Sequence, residues 1–405
     1  MKKKLLSVIC MCTMLISLTA CGAGTGGDGG SGDSGSEDEI TLRFSWWGGD
    51  SRHQATLDVI ELYESKHPGI KIEAEYGGAD GYKDKRMTEM AGKNAPDIMQ
   101  IDAPWLYEMQ TQFDAFADLS QFEDVLDMSG FDEDFVNSHC ALDGTIYGLP
   151  TGINGTYMLM NTAILDAAGI DSTQEWTWDS LLEDGAKVHA SDPEAYFLNL
   201  DQHSLTYHVL RPYIKQLFDE GVMEPASESF MYIDAFYDNP IWVNNKVGAD
   251  IDWTSSLSAR MAGFADTAAV TKVPQMENAK DTGILVRPAQ IMCISNTSEH
   301  QKEAAEFIDF FLNDEEAISI LKLERSVPAT EAARQQLTES GDLDEIVNSA
   351  VNLALENAGA TENAISQDMQ LENILTDAVE NVGYGTATPE EIAKETYGLL
   401  FWSCW

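Results

Sequence analysis

Between residues 40 and 101 the hydrophobic period switches back and forth between two and near four. Ile40, Leu42 and Phe44 alternate with polar residues, the mark of a strand with one buried face. The strand runs into the turn Trp46-Trp47-Gly48-Gly49-Asp50. A helix is predicted over 51–66, with Leu57, Ile60 and Tyr63 on one face and Pro68 closing it. Ile70, Ile72, Ala74 and Tyr76 alternate again, a second helix is predicted over 82–92, and Ile98-Met99-Gln100-Ile101 reads as a buried strand after Ala95-Pro96-Asp97. Strand, helix, strand, helix, strand restricts this part of the chain to an α/β sheet with parallel pairing. Ligands on such sheets sit beyond the carboxyl ends of the strands. Those ends carry Trp46-Trp47-Gly48-Gly49-Asp50, Gly77-Gly78-Ala79-Asp80-Gly81-Tyr82 and Asp102-Ala103-Pro104-Trp105, aromatics mixed with Gly and polar groups, as a pocket rim requires.

The 405 residues suffice for two or three compact units, and 44% hydrophobic content supplies their cores. Lys and Arg number 24 against 68 Asp and Glu, a net charge of −44. A surface that acidic repels phosphate backbones, so no nucleic-acid partner is expected, and it weakly repels anionic ligands and anionic lipid headgroups. Its plainest role is to keep the protein soluble. Six cysteines stand at 10, 12, 21, 140, 293 and 404. With the first two in a leader and Cys21 set aside, Cys140, Cys293 and Cys404 are an odd set. They form no closed disulfide framework, although one pair is possible.

Residues 1–20 read as an export signal: Lys2, Lys3 and Lys4, then sixteen uncharged, mostly apolar residues ending small. The run is short of the ~20 residues of a comfortable membrane span. Its end, Leu18-Thr19-Ala20-Cys21-Gly22, resembles the bacterial lipobox, which implies cleavage before Cys21 and acylation of that residue. Two acyl chains or more give stable anchoring. Residues 21–39 are then the lipidated Cys and a flexible linker; eight of the eighteen residues from 22 to 39 are Gly. Such a coil reaches roughly 25 Å. It contains Gly22-Ala23-Gly24-Thr25-Gly26-Gly27, but no strand precedes this GxGxxG match, which removes the dinucleotide reading.

The later chain is mostly helical. Ser298 and Gln301 predict a capping box ahead of a helix over 302–313, and Thr388, Pro389 and Glu391 predict another at the last helix. The apolar end Phe401-Trp402-Ser403-Cys404-Trp405 is expected to dock against the body.

Several segments, taken in order, resemble the family 1 extracellular solute-binding proteins. They are residues 41–50, Ala95-Pro96-Asp97-Ile98, Asp102-Ala103-Pro104-Trp105, Tyr147-Gly148-Leu149-Pro150 with Asn154, and Leu323-Glu324-Arg325-Ser326-Val327-Pro328-Ala329. These proteins are the carbohydrate-binding components of bacterial ABC importers and are related to maltose-binding protein. The resemblance runs from about residue 40 to 400. It implies the two-lobed, type II periplasmic-binding-protein-like α/β fold, with lobe 1 at 40–152 and 272–324 and lobe 2 at 153–271 and 325–405. Chain crossings are then expected near 150–154, 270–274 and 324–328, with a sugar held in the cleft between lobes. It implies a monomeric, lipid-anchored protein at the outer face of the membrane. Such a protein delivers a sugar to ABC transporter permease subunits, without cofactor or catalysis. The same fold also serves as a sugar sensor that presents its ligand to a signalling receptor.

A sugar ring has apolar faces and a rim of hydroxyls, which suits aromatic platforms beside charged or amide groups. Trp46, Trp47, Trp105 and Trp253 are candidate platforms; adjacent residues of a strand point to opposite faces, so one of Trp46 and Trp47 packs inward. Asp50, Arg52, Asp102 and Asn154 are candidate hydroxyl partners, since a carboxylate accepts and a guanidinium donates. Asp50 serves equally as a helix N-cap. Arg52 stands out because basic residues are scarce, although a surface ion pair would also account for it. Tyr82 either bonds or stacks with ligand, or packs at a helix start.

Other chemistries find less support. A surface glycosidase needs two carboxylates, and 68 acids make some pair inevitable. There is no HExxH, GxSxG or Walker A sequence. Ser319-Ile320-Leu321-Lys322 fits SxxK but lies in a predicted helix without companion motifs. His203 and His208 are five apart rather than the four that shares a helix face, and Asp132-Glu133-Asp134 lacks the Gly and distal Glu of a calcium loop, so no metal is expected.

Overall fold

The computed structural model describes residues 39–209, 211–232, 235–261, 267–360 and 369–403. The leader, Cys21, most of the linker and Cys404 lie outside the described residues. The strands are β1 (Ile40–Trp47), β2 (Ile70–Gly77), β3 (Ile98–Ile101), the hairpin β4 (Ala141–Leu142) and β5 (Thr145–Ile146), and β6 (Leu149–Pro150). Beyond them come β7 (Ile153–Asn161), β8 (Tyr196–Leu198), β9 (Val247–Trp253), β10 (Ala268–Thr271), β11 (Val286–Pro288) and β12 (Ile291–Ile294). The first three helices are α1 (Asp50–Lys66), α2 (Tyr82–Ala91) and α3 (Trp105–Phe113).

One sheet has the order β2-β1-β3-β12-β6, and a second has β10-β7-β9-β8, with β11 also pairing β7. In the first, β1 runs parallel to β2 over their full length, Ile40 opposite Ile70 through Trp47 opposite Gly77. It is also parallel to β3, Phe44 opposite Ile98. Short strand–helix–strand units enforce that sense, as the alternating pattern requires. β12 then joins antiparallel, Ile291 opposite Ile101. Leu42, Phe44 and Trp46 are fully buried on one face of β1. They meet Val59, Ile60 and Tyr63 of α1 and the helix Gln301–Asn313 in one core. Phe307 lies edge-on to Phe44 at 5.6 Å and to Tyr63 at 5.0 Å, the geometry aromatic quadrupoles favour. The second sheet has its own core, with Met158, Met160, Phe197, Leu198, Ala249 and Ile251.

The chain changes sheets where β6 gives way to β7, at the first expected crossing, 150–154. The return comes later than 270–274. β10 and β11 both pair β7, so the second sheet keeps the chain until Pro288, and β12 re-enters the first. Near the third crossing, Ile153 and Val327 form an antiparallel bridge. Val327 and the helix Glu331–Ser340 nevertheless bury Ala333 and Leu337 in the first core, because their apolar face is covered there.

The reciprocal cap forms at the helix Pro389–Ser403: Thr388 N–H donates to Glu391 Oε2 (3.0 Å), and Glu391 N–H to Thr388 Oγ1 (3.3 Å). The box expected of Ser298 and Gln301 does not. Asp97 draws the Ser298 hydroxyl (2.5 Å), and Gln301 turns back to the Ser295 carbonyl (3.3 Å), tying this helix to the entry of β3. Asp132 caps the helix Glu133–His139 by accepting from Phe135 N–H (2.8 Å). Ser319 donates to its own helix at the Glu315 carbonyl (2.8 Å), so the SxxK match is part of a helix turn.

Candidate functional site

The carboxyl ends of β1, β2 and β3 lie side by side, and the alternation of β1 sends its two tryptophans to opposite faces. Trp46 faces the core with no exposure. It stacks on Tyr76 at 4.9 Å and donates its indole N–H to His53 Nδ1 at 3.0 Å. The expectation of Trp46 as a ligand platform is therefore corrected: its ring is sealed among protein groups. Trp47 is half-buried on the other face, 5.2 Å from Trp105 and 4.8 Å from Tyr82. Of the two alternatives for Tyr82, packing at the helix start is the one its burial favours. It is buried, and its hydroxyl is engaged by Ser45 Oγ at 2.7 Å and by the Ser45 and Gln100 carbonyls. Burial raises its pKa, so the phenol stays protonated and braces Trp47 from behind.

Arg52, in the first turn of α1, lays its stem across Gly48. A Cβ at position 48 would stand 2.6 Å from Arg52 Cδ, which accounts for glycine there. The Arg52 Nε donates to the Glu324 carbonyl at 2.8 Å, while Ser51 Oγ holds Glu324 Oε2 at 2.8 Å. Burial lowers the Arg52 pKa, and Glu324 and Asp102 oppose the shift. Asp102, just past β3, is pushed up to about 6 by burial, against the pull of Arg287 and Arg52. It therefore lies within electrostatic reach of guanidinium groups from both sheets. Asp50 is exposed at the first residue of α1 and makes no cap bond; Gly49 occupies the cap position.

The second sheet contributes Asn154 and Trp253. Asn154, on β7, faces Arg287 of β11 across the ladder, and its Oδ1 accepts from Ser326 Oγ at 2.8 Å. Ser326 stands at φ 74°, a left-handed conformation that costs a non-glycine residue energy, between the segments that join the two sheets. Trp253 closes β9, half-buried, with the Arg287 guanidinium 4.1 Å above its ring. Arg260 holds the loop beyond by pairing with both Asp250 (3.1 Å) and Asp252. Asp250 is raised to about 7 by burial.

A buried cation ties the connecting segment to the platform. Arg325 donates to Gln100 Oε1 and to Thr56 Oγ1 (2.9 Å) and lies 5.1 Å from the Phe311 ring. Gln100 Nε2 in turn donates to the Trp47 carbonyl (3.3 Å). Burial lowers the Arg325 pKa to about 9, leaving it charged at neutral pH.

The structure thus groups Trp47, Trp105, Arg52 and Asp102 at the strand ends of the first sheet, and Asn154 with Trp253 on the second. Arg287, Glu324 and Ser326 join them and were not singled out in the sequence. The scarcity of basic residues that drew attention to Arg52 applies equally to Arg287. Among the described residues no group of three His, Cys, Asp or Glu is placed to hold a metal ion. Cys140 and Cys293 are buried free thiols.

Residues 49–318 match the family described as bacterial extracellular solute-binding protein. The chain belongs to that family. This solute-binding protein is 22% identical over 353 residues to the arabinooligosaccharide-binding protein of Bacillus subtilis, covering 76% of each chain. It is 25% identical over 197 residues to the diacetylchitobiose-binding protein of Streptomyces coelicolor, 47% of this chain and 44% of that one, so the match spans less than half of that relative. Among solved structures it is similar to a periplasmic oligogalacturonide-binding protein of Yersinia enterocolitica. That match has a TM-score of 0.71, 26% identity and coverage of 88% of this chain and 96% of the other. The two-lobed fold implied by the sequence resemblance agrees with this likeness.

Proposed function

We propose that this solute-binding protein captures an oligosaccharide outside the cell and delivers it to the permease of an ABC importer, while acyl chains on Cys21 tether it to the membrane. The observation that carries the proposal is the pairing of half-buried indoles with charged and amide groups from both sheets. Trp47 and Trp105 stand beside Arg52 and Asp102, with Trp253 and Asn154 contributed by the second sheet. Rings cover the apolar faces of a sugar, and the polar groups take its hydroxyls. Asp50 is placed at the exposed rim. The relatives, each named for binding an oligosaccharide, support the cargo class, and their being binding proteins supports a role without catalysis.

In this proposal the lobes, one built on each sheet, close about the connections at 150–154, 288–291 and 324–328. Ligand favours closure only by its differential affinity for the closed form. The protein acts as a monomer, and the permease reads closure. Among the described residues no helix is long and apolar enough to cross a membrane.

A thermal-shift screen against mono- and oligosaccharides, with metal ions as controls, tests the proposal. Ligand at a hundred times its Kd should add about 2.7 kcal/mol of stability. A shift with one saccharide class, and recovery of that saccharide unchanged, supports carriage. No shift with any saccharide, or turnover of the one that binds, would overturn it.

A further inference from the structure

The two guanidinium groups at this site have more donors than the protein uses. Arg52 spends Nε on the Glu324 carbonyl, and neither of its terminal nitrogens has a protein acceptor among the described residues. Arg287 is exposed, has its guanidinium carbon 4.1 Å from the centre of the Trp253 ring and donates no hydrogen bond to a described residue. Of the nearby carboxylates, Glu324 supports the charge of Arg52 without a hydrogen bond to it, and those beside Trp253 are held by other groups. Asp252 accepts from Arg260 and from Ser256 Oγ (2.8 Å), Asp250 pairs with Arg260, and Glu324 Oε2 accepts from Ser51. Asp102 feels the charge of both arginines. Leaving such groups unpaired is notable in a chain with 24 basic residues against 68 acidic ones.

A surplus of fixed donors selects a ligand with a surplus of acceptors. A hydroxyl both gives and takes a hydrogen bond, whereas a carboxylate only accepts, and planar guanidinium groups match it in bidentate fashion. The indole rings beside the arginines suit a carboxylate carried on a sugar ring, the cargo class of the proposed function. We propose that the cargo is an acidic oligosaccharide, one whose units carry uronate carboxylates received by Arg287 over Trp253 and by Arg52 beside Trp47. This deepens the delivery reading and rests on it. The solved Yersinia structure named for oligogalacturonide supplies the natural probe.

The test is calorimetric titration of the full chain with trigalacturonate, with its methyl ester and with neutral arabino- and chito-trisaccharides. The ester keeps the skeleton and removes the charge. The acid should bind at least about tenfold more tightly than the ester, and added salt should narrow the gap. Arg287→Gln should cost the acid about tenfold or more and the ester little, and Arg287→Lys should restore part of the loss. Equal affinity for acid and ester, or binding of neutral saccharides alone, overturns the acidic cargo and leaves oligosaccharide delivery standing. Binding of no saccharide by protein that melts cooperatively overturns both.

Discussion

On the first sheet, the carboxyl ends of β1 and β3 in one strand–helix run bring Trp47, Asp102 and Trp105 together, within sixty residues of chain. The second-sheet group is assembled from distant stretches. Asn154 opens β7, Trp253 closes β9, Arg287 lies on β11, and Ser326 reaches in from the connecting segment. Parallel strands with local crossovers place their carboxyl ends at one edge as a matter of topology, so a rim there follows from the pattern. Antiparallel pairing fixes neighbours only once register is known, and register between β7, β9 and β11 is set by tertiary packing. The comparison teaches that one half of a site follows from chain order, while the other half exists only after folding.

The contrast breaks most sharply at the adjacent tryptophans. Trp46→Ala should lose about 3–5 kcal/mol of stability in urea unfolding, because it empties a fully buried position packed on Phe44 and Tyr76. Trp47→Ala should shift unfolding by about 1 kcal/mol or less. It should weaken saccharide binding by about 2 kcal/mol, roughly thirtyfold. Equal stability loss at both positions would mean that β1 does not divide its tryptophans between core and cleft.

The connecting segment gives a smaller effect. A Cβ on Gly152 would stand 2.2 Å from the Arg325 carbonyl oxygen and 2.9 Å from that of Val327. Both are backbone atoms, so Gly152→Ala must move the segment that joins the sheets. The expected cost is about 1–3 kcal/mol by urea unfolding. Gly78→Ala, with open space at its Cβ and outside any helix cap, is the control and should change stability by about 0.5 kcal/mol or less.

The same contrast explains what could be read from the chain beforehand. Alternation gave β1 and β2, the helical period gave α1 and α2, and the arithmetic of period two required one of Trp46 and Trp47 to turn inward without saying which. The core choice fell to Trp46 because Leu42 and Phe44, four and two residues before it, already faced α1. Tyr82 was legible as a rim residue or as a packing residue at a helix start, but the choice was not, since its hydroxyl bonds Ser45 and Gln100, which only the folded sheet places beside it. The late return at 288–291 was hidden because β11 is three residues long and shows no period of its own. Arg287 pairs with nothing near in sequence, and its significance appears only once Trp253 lies beneath it.

The smallest expected effect tests how the two sheets meet at Asp102. Its pKa is raised to about 6 by burial, so at pH 7.5 it is mostly ionised in the free protein. A uronate, with a pKa near that of an ordinary carboxylate at ~4, stays charged down to pH 5.5. An anion bound between Arg52 and Arg287 repels the Asp102 carboxylate and raises its pKa further, so binding takes up a proton. Affinity for trigalacturonate should therefore rise on acidification from pH 7.5 to 5.5, by less than about tenfold per pH unit, the limit for one proton. Calorimetry in buffers of different ionisation enthalpy measures the uptake directly. Asp102→Asn should flatten the profile and hold affinity near its acidic value. A fall in affinity on acidification would show instead that the hydroxyl bond accepted by ionised Asp102 outweighs the repulsion, and the carboxylate would then have to sit beside Arg287 alone, on the second-sheet side.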